Sequence, residues 1–297
     1  MNILITDSVD PLLLKLLDNN NLTYEYNLSD SENAILKQIH KFQGIIVRNR
    51  LKIDSGFLKK AKNLKFIARY GSGMESIDTQ SAKKLNIKCF NVAEGNSNSV
   101  GEHALGMLIC LFHNINQSAT QLKGFIWERE INRGIELEGK TIGIIGYGNT
   151  GSSLSKKIGN FGCRILAYDK YKSGFGKENI EECKMETIYK ECDIISLHIP
   201  LNTENKLLIN TDYLSQFPKL QYVVNTSRGE VLKLSDMVAM LKDGRLKGAA
   251  LDVLENEKLA QLNNDEDKVF GELISLDNVI LSPHVAGWTF ESYEKIN

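Results

Sequence analysis

The sequence predicts an α/β protein built from two doubly wound parallel sheets. Three observations carry this expectation. Short apolar runs alternate with segments of helical spacing along the chain, a pattern that lays strands side by side in parallel with helices on both faces. Residues 139–170, GKTIGIIGYGNTGSSLSKKIGNFGCRILAYDK, read as strand, glycine turn, helix and strand. The chain has 297 residues, which suggests two domains with ample room for buried cores.

In the first part, strands are expected at 2–6, 22–26, 44–47, 64–68 and 87–92, and helices at 11–17, 31–40, 54–61 and 77–85. Ligands of open parallel sheets bind beyond the carboxyl ends of the strands. Two arginine-bearing segments leave such ends, Arg48-Asn49-Arg50 and Arg69-Tyr70-Gly71-Ser72-Gly73, so an anionic substrate is expected there. Taken singly, each arginine reads better as a solvated surface charge. Gly71 and Gly73 suit plain turns, or a nest of backbone N–H groups facing a carboxylate. From Ser99 one long helix is expected, because Ala104, Leu105, Leu108, Leu111, Phe112 and Ile115 recur at helical spacing. Ser99 and Glu102 fit a capping box at its start. Such a helix serves either as a core element or as a bridge between domains or subunits.

Each part of the 139–170 stretch has a physical role in holding a dinucleotide. Gly146 permits the tight turn, Gly148 removes a side chain that would block a pyrophosphate, and Gly151 lets the helix lie close to the strand. The helix N-terminus offers unpaired N–H groups and partial positive charge to phosphates. Asp169 closes the second strand, where a carboxylate accepts hydrogen bonds from ribose hydroxyls and repels a 2′-phosphate. The expected cofactor is therefore NAD rather than NADP, with Lys170 and Lys172 as the opposing signal.

Beyond this motif, strands are expected at 193–199, 222–226, 248–253 and 278–281, a helix at 234–241, and a polar, acidic loop at 261–268. Chemistry-bearing residues follow these strands: Ser227-Arg228-Gly229, then Asp252 with Glu255 and Glu257, then Ser282-Pro283-His284. Moving hydride between NAD and an alcohol carbon requires a proton to move as well, and a histidine of near-neutral pKa does this. A carboxylate beside it fixes one tautomer and raises its pKa. An arginine clamps a substrate carboxylate and polarises the reacting oxygen. His284, Glu257 and Arg228 are the candidates, although each alone fits an ordinary strand end or turn.

Hydrophobic residues make up 42% and charged residues 25%, with a net charge of −1. This balance suggests neither nucleic acid nor an anionic membrane as a partner. The N-terminus MNILITDSVD lacks the features of a signal peptide, and no apolar run approaches the roughly 20 residues that span a bilayer. Five cysteines without a CxxC pair read as buried, reduced thiols of a cytoplasmic protein, and five histidines without ligand spacing suggest no metal.

On these residues, the chain resembles the D-isomer-specific 2-hydroxyacid dehydrogenases. The matching stretches are IIVRNRLKID, ARYGSGMESID, NVAEGNSNSVGEHALGMLICL, the glycine motif, HIPLNTENKLLIN, VVNTSRGEVL, GAALDVLENE and NVILSPHVAGWT, in the family's order from about residue 44 onward. Among relatives it looks nearest to 3-phosphoglycerate dehydrogenases, which the stretch KGFIWERE supports. The resemblance implies a flavodoxin-like substrate domain (1–97 and 286–297) with a Rossmann-like NAD-binding domain (98–285) inserted into it. It implies a homodimer through the helix starting at Ser99. It makes His284 the acid/base, Glu257 its partner and Arg228 an anchor for substrate and cofactor. Asn149, Thr150, Thr226, Ser227 and Asp252 match cofactor positions, and Asp252 is expected at the nicotinamide carboxamide. Ser72 and Gly73 match backbone contacts to the substrate carboxylate. Arg48 and Arg69 match positions for a substrate phosphate, and Arg129 a contact to the partner subunit's site. Two departures stand out: Lys258 where proline is usual, and Met74-Glu75-Ser76 for Val-Asp-Asn.

The expected activity is NAD-linked oxidation of a D-2-hydroxy acid at C2, with 3-phospho-D-glycerate the first substrate. Reduction of glyoxylate, hydroxypyruvate or D-lactate's keto acid is the alternative, and an NAD-sensing corepressor is the alternative of another class. No appended regulatory domain is expected after residue 297.

Overall fold

In the computed structural model, which describes residues 1–297, the chain divides into two units. Unit 1 comprises Met1–Asn96 and Trp288–Asn297, and unit 2 comprises Ser97–Gly287.

Unit 1 alternates β1 (Asn2–Ile5), α1 (Pro11–Asn19), β2 (Thr23–Tyr26), α2 (Glu32–Gln38), β3 (Gly44–Val47), α3 (Ser55–Lys60), β4 (Phe66–Arg69), α4 (Thr79–Lys84) and β5 (Lys88–Asn91). The five strands pair in parallel in the order β2-β1-β3-β4-β5. The central strand β3 is buried along its whole length, which explains its uninterrupted apolar sequence. Each helix starts on a short polar side chain that accepts a backbone N–H: Asp10, Ser31, Asp54 and Asp78. Such a cap contributes about 1 kcal/mol, so these boundaries are written locally.

Unit 2 opens with α5 (Ser97–Phe112) and α6 (Ile115–Lys123). Its sheet contains β6 (Thr141–Ile145), β7 (Arg164–Tyr168), β8 (Glu181–Glu182), β9 (Ile194–Leu197), β10 (Tyr222–Asn225), β11 (Gly248–Leu251) and β12 (Val279–Leu281). Helices α7 (Asn149–Ile158), α8 (Met185–Glu191), α9 (Thr211–Leu214), α10 (Leu234–Lys242) and α11 (Asn264–Ile274) connect them. All seven strands are parallel, in the order β12-β11-β10-β9-β6-β7-β8. The order reverses between β6 and β9, which makes that point the topological switch. Alternate residues of the strands enter two cores. Ile144, Val224 and Ala250 pack with Ala104, Leu108 and Leu154 on one face, while Val223, Leu251 and Ile195 pack with Val231, Met237 and Leu273 on the other. The chain then returns to unit 1 with α12 (Phe290–Ile296), capped by Thr289.

Three expectations are corrected. The helix does not begin at Ser99: α5 starts at Ser97, and the Ser99 hydroxyl instead donates to the Ala286 carbonyl at 2.6 Å, so no capping box with Glu102 forms. Nor does the helix run on to Ile115. Asn114 takes a left-handed φ of 50°, which separates α5 from α6. The segment 261–268 is not a loop. Asn263 and Glu266 form a capping box, and Asp265, Glu266 and Asp267 set negative charge in the first turn of α11, where the helix dipole favours it. Four of the five cysteines are half-buried and only Cys192 is fully buried, and all five are free thiols. No helix is long and apolar enough to cross a membrane.

Candidate active site

Because every strand of unit 2 runs the same way, the loops leaving β6, β9, β10, β11 and β12 all emerge on one edge of the sheet. Reading along that edge gives the glycine turn after β6, His198 after β9, Arg228 after β10, Glu257 after β11 and His284 after β12. The last three come from neighbouring strands, which are spaced about 4.8 Å apart.

The glycine turn has the form that a dinucleotide needs. Gly146 has φ 95°, and a Cβ there would lie 2.5 Å from the His198 carbonyl oxygen. A Cβ on Gly151 would lie 2.1 Å from the Gly146 oxygen, so only glycine lets α7 sit this close to its strand. At Gly148 a Cβ would meet nothing within 4 Å, and no side chain caps the α7 N-terminus that begins there. This leaves open space in front of unpaired N–H groups, with Asn149 and Thr150 in the first turn. Asp169 sits beside the turn: its Oδ2 accepts from Tyr147 N–H at 2.8 Å, and its Oδ1 accepts from the N–H groups of Tyr171 and Lys172 at 2.9 and 3.0 Å. A carboxylate has about four acceptor sites, so capacity for a ribose hydroxyl remains.

His198 opens the matching stretch HIPLNTENKLLIN, but the sequence assigns it no role, and the fold brings it to this edge. It is buried, and burial pushes its pKa down to about 4, so the ring is neutral at pH 7. Its Nδ1 lies 3.1 Å from Thr150 Oγ1 and its Nε2 lies 2.9 Å from Ser196 Oγ, tying the first turn of α7 to β9.

After β10, the buried Asn225 shapes the next turn. Its Oδ1 accepts from Ser227 N–H at 3.0 Å and from Ser227 O–H at 2.8 Å, and its Nδ2 donates to the Arg228 carbonyl at 3.1 Å. Arg228 Nη1 donates to the Ser227 carbonyl at 2.7 Å. Between them, Thr226 Oγ1 is buried without a hydrogen-bond partner, an orphan that a bound polar group would satisfy. A Cβ on Gly229 would lie 1.8 Å from the Leu254 carbonyl oxygen, so this glycine lets the β11 loop rest on the arginine turn. In that loop the two glutamates separate by role. Glu255 Oε2 accepts from Leu234 N–H at the start of α10, a structural cap, whereas Glu257 Oε1 lies 2.9 Å from His284 Nδ1.

His284 has φ 55°, a left-handed conformation that favours glycine. Asp252 holds this turn from beneath. Although only 1% exposed, both its oxygens are bonded: Oδ1 accepts from Ser282 O–H at 2.6 Å and Val285 N–H at 2.9 Å, and Oδ2 accepts from Ala286 N–H at 2.9 Å. The hydrogen bond to Glu257 raises the His284 pKa above its usual value, against the opposing effect of burial. With Nδ1 committed to the carboxylate, Nε2 is the nitrogen that can exchange a proton with a substrate.

Residues 105–286 match the sequence model of "D-isomer specific 2-hydroxyacid dehydrogenase, NAD binding domain". The chain belongs to the D-isomer-specific 2-hydroxyacid dehydrogenase family. It is an NAD-dependent oxidoreductase of that family, and the open Gly148 turn and the orphaned Thr226 hydroxyl fit NAD. The dehydrogenase is 33% identical to a hydroxypyruvate reductase from Thermotoga maritima over 89% of this chain and 84% of that one. It is 31% identical to a D-3-phosphoglycerate dehydrogenase from Archaeoglobus fulgidus over 98% of this chain, but it spans only 54% of that protein's length. Its structure resembles a D-lactate dehydrogenase from Aquifex aeolicus complexed with NAD and lactic acid, with a TM-score of 0.87 and 28% identity over 99% and 92% of the two chains. It also resembles a D-2-hydroxyisocaproate dehydrogenase, with a TM-score of 0.85 and 26% identity over 100% and 93%.

Within unit 1, the sequence-predicted anion residues lie at the carboxyl ends of β3 and β4. The N–H groups of Arg48, Asn49 and Arg50 all donate to the Asp7 carboxylate, so this nest of donors is filled by the protein itself. Arg50 spends its guanidinium on the carbonyls of Thr6, Asn27 and Asp30. The Arg48 guanidinium stacks 3.9 Å from the centroid of Trp288 and donates to the Tyr293 hydroxyl. Arg69 Nη2 donates to Asn49 Oδ1 at 2.6 Å, and Ser72 and Gly73 follow in a turn whose Ser72 carbonyl accepts from Asn91.

Proposed function

We propose that this dehydrogenase interconverts a phosphorylated three-carbon D-2-hydroxy acid and its 2-keto acid, 3-phospho-D-glycerate being the first candidate, as a step toward serine. His284, Glu257 and Arg228 carry the reaction. When bound, NAD supplies the hydride acceptor in one direction and the donor in the other. In oxidation, the neutral Nε2 of His284 takes the C2 hydroxyl proton as hydride leaves C2. In reduction, the same nitrogen, protonated, gives its proton to the keto oxygen. Glu257 holds the Nδ1–H and stabilises the imidazolium in both directions. Arg228 clamps the substrate carboxylate through its planar fork of donors. The observation that carries this reading is the 2.9 Å contact between His284 and Glu257 at neighbouring strand ends.

The cofactor's pyrophosphate is assigned to Gly146, Gly148, Asn149, Thr150 and Gly151, its ribose to Asp169, and its nicotinamide end to Thr226, Ser227 and Asp252. Ser72 and Gly73 are assigned to the substrate carboxylate and Arg48 and Arg69 to the phosphate. A second reading, reduction of unphosphorylated hydroxypyruvate, is favoured by the engagement of Arg48 with Trp288 and Tyr293 and by the Thermotoga relative. The protein acts as a cytoplasmic homodimer. Exposed Leu122, Phe125, Ile126, Trp127 and Ile131 support an interface centred on α6 and the loop after it, whereas most apolar residues of α5 are buried in their own unit.

A panel of phosphohydroxypyruvate, hydroxypyruvate, glyoxylate, pyruvate and 2-oxoglutarate, with NADH and then NADPH, tests the substrate. The highest kcat/KM is expected on phosphohydroxypyruvate with NADH. Activity confined to unphosphorylated acids would overturn the phosphate assignment.

A further inference from the structure

The turn that carries His284 is gripped from two sides. One is Asp252, which already has a role in the proposed cofactor site, and the other is α5. Ser99 and His103 stand four residues apart, on one face of that helix. The Ser99 hydroxyl donates to the Ala286 carbonyl at 2.6 Å, in a buried setting. His103 Nε2 lies 2.8 Å from Ser282 Oγ. These contacts fall on the first and last residues of the Ser282–Ala286 segment, with His284 between them.

Ser282 has one hydroxyl proton, and it points to Asp252 Oδ1 at 2.6 Å. The Ser282 oxygen must then accept from His103, so Nε2 of His103 carries hydrogen. A chain of donors therefore runs from His103 through Ser282 to Asp252, and Asp252 in turn receives the N–H groups of Val285 and Ala286. His284 N–H completes the turn by donating to the Asp252 carbonyl at 2.7 Å. A residue with a left-handed φ of 55° and a Cβ persists only where its surroundings over-determine it. These bonds are that over-determination.

We propose that Ser99 and His103 are positioning residues, which hold the Ser282–Ala286 turn from α5 in the conformation that aims His284 at Glu257. Neither touches the reacting atoms. This rests on His284 being the acid/base.

The test compares His103→Leu, His103→Gln and Ser99→Ala with the parent enzyme in three measurements: kcat, NADH affinity by fluorescence, and the NMR titration of the His284 ring. In His103→Leu, kcat is expected to fall roughly ten- to hundredfold, because small misplacements of a catalytic group are costly. NADH affinity should stay within about twofold of the parent, well below the tenfold change that 1.4 kcal/mol would bring. The His284 titration should move down toward the ordinary histidine value as the Glu257 contact loosens. His103→Gln restores a donor to Ser282 and should recover most of kcat. Should His103→Leu not fold, Ser99→Ala decides, since it deletes one hydroxyl and keeps a good helix former. An unchanged kcat together with an unchanged His284 titration in the folded variants would overturn the proposal. His284→Ala is run in parallel. If it retains turnover, the acid/base reading fails, yet the NMR titration still decides whether α5 positions the ring.

Discussion

His284 and Glu257 face each other at 2.9 Å, although they stand 27 positions apart in the chain, because each follows the carboxyl end of one of two neighbouring parallel strands. The carboxylate raises the histidine pKa and selects the tautomer with hydrogen on Nδ1. The raised pKa has kinetic consequences. Reduction needs the protonated ring, so its kcat should be highest at low pH and fall as pH rises through the elevated pKa. Oxidation needs the neutral ring and should show the mirror profile. Rate profiles in both directions check this, and matching profiles of the same sense would contradict it.

Glu257→Gln removes the charge that stabilises the imidazolium. The apparent pKa in both rate profiles should move down. At pH 7, kcat for reduction should fall, approaching roughly tenfold for every pH unit that the profile moves once its pKa lies below 7. An unmoved profile would count against the pairing.

Gly148 and Gly151 are predicted to part ways. Gly148 has an ordinary φ of −82° and open space ahead of it, so Gly148→Val should fold with stability within about 0.5 kcal/mol of the parent yet bind NADH much more weakly. Gly151→Val drives a side chain into the Gly146 carbonyl and should cost roughly 1–3 kcal/mol of stability. Thermal melts with and without NADH separate the two.

Much of this was legible in the sequence, for physical reasons that differ between elements. β3 is readable because a strand buried on both faces must be apolar throughout. The glycine turn is readable because each glycine answers a separate steric demand, and the strand-end residues because parallel strands collect their carboxyl ends on one edge. What was illegible depends on tertiary contacts. Ser99 looked like a cap because its sequence neighbours fit one, but its true partner, Ala286, is 187 residues away. His198 lies in a matching stretch that assigns it no role, and its role comes from burial at the switch point between β6 and β9. Asn225 lies inside the strand expected at 222–226, and its bonds to Ser227 and Arg228 form only in the folded chain. The α11 helix is a different kind of miss, since Asn263 and Glu266 spelled out its capping box and the acidic composition obscured it.

His198 should make the fold sensitive to acid. Its folded pKa of about 4 lies below the unfolded value near 6.5, so the unfolded chain binds this proton first. The stability it contributes is complete above pH 6.5 and is lost as pH falls toward 4, by about 3 kcal/mol at most. Urea unfolding at pH 7 and 4.5 should show a drop that is largely absent in a folded His198→Gln variant. An equal drop in both would assign the sensitivity elsewhere.

Asp169→Ser removes the charge that repels a 2′-phosphate and should shift the NADH-to-NADPH preference by roughly tenfold or more, about 1.4 kcal/mol. An unchanged preference would mean that Lys170 and Lys172, rather than Asp169, govern the choice.

The most direct measurement is the turnover of His284→Ala beside its NADH affinity. The proton transfer assigned to this ring predicts a fall in kcat of roughly 10²–10⁴-fold with NADH binding essentially intact. Turnover close to that of the parent enzyme would contradict the assignment of His284 as the acid/base.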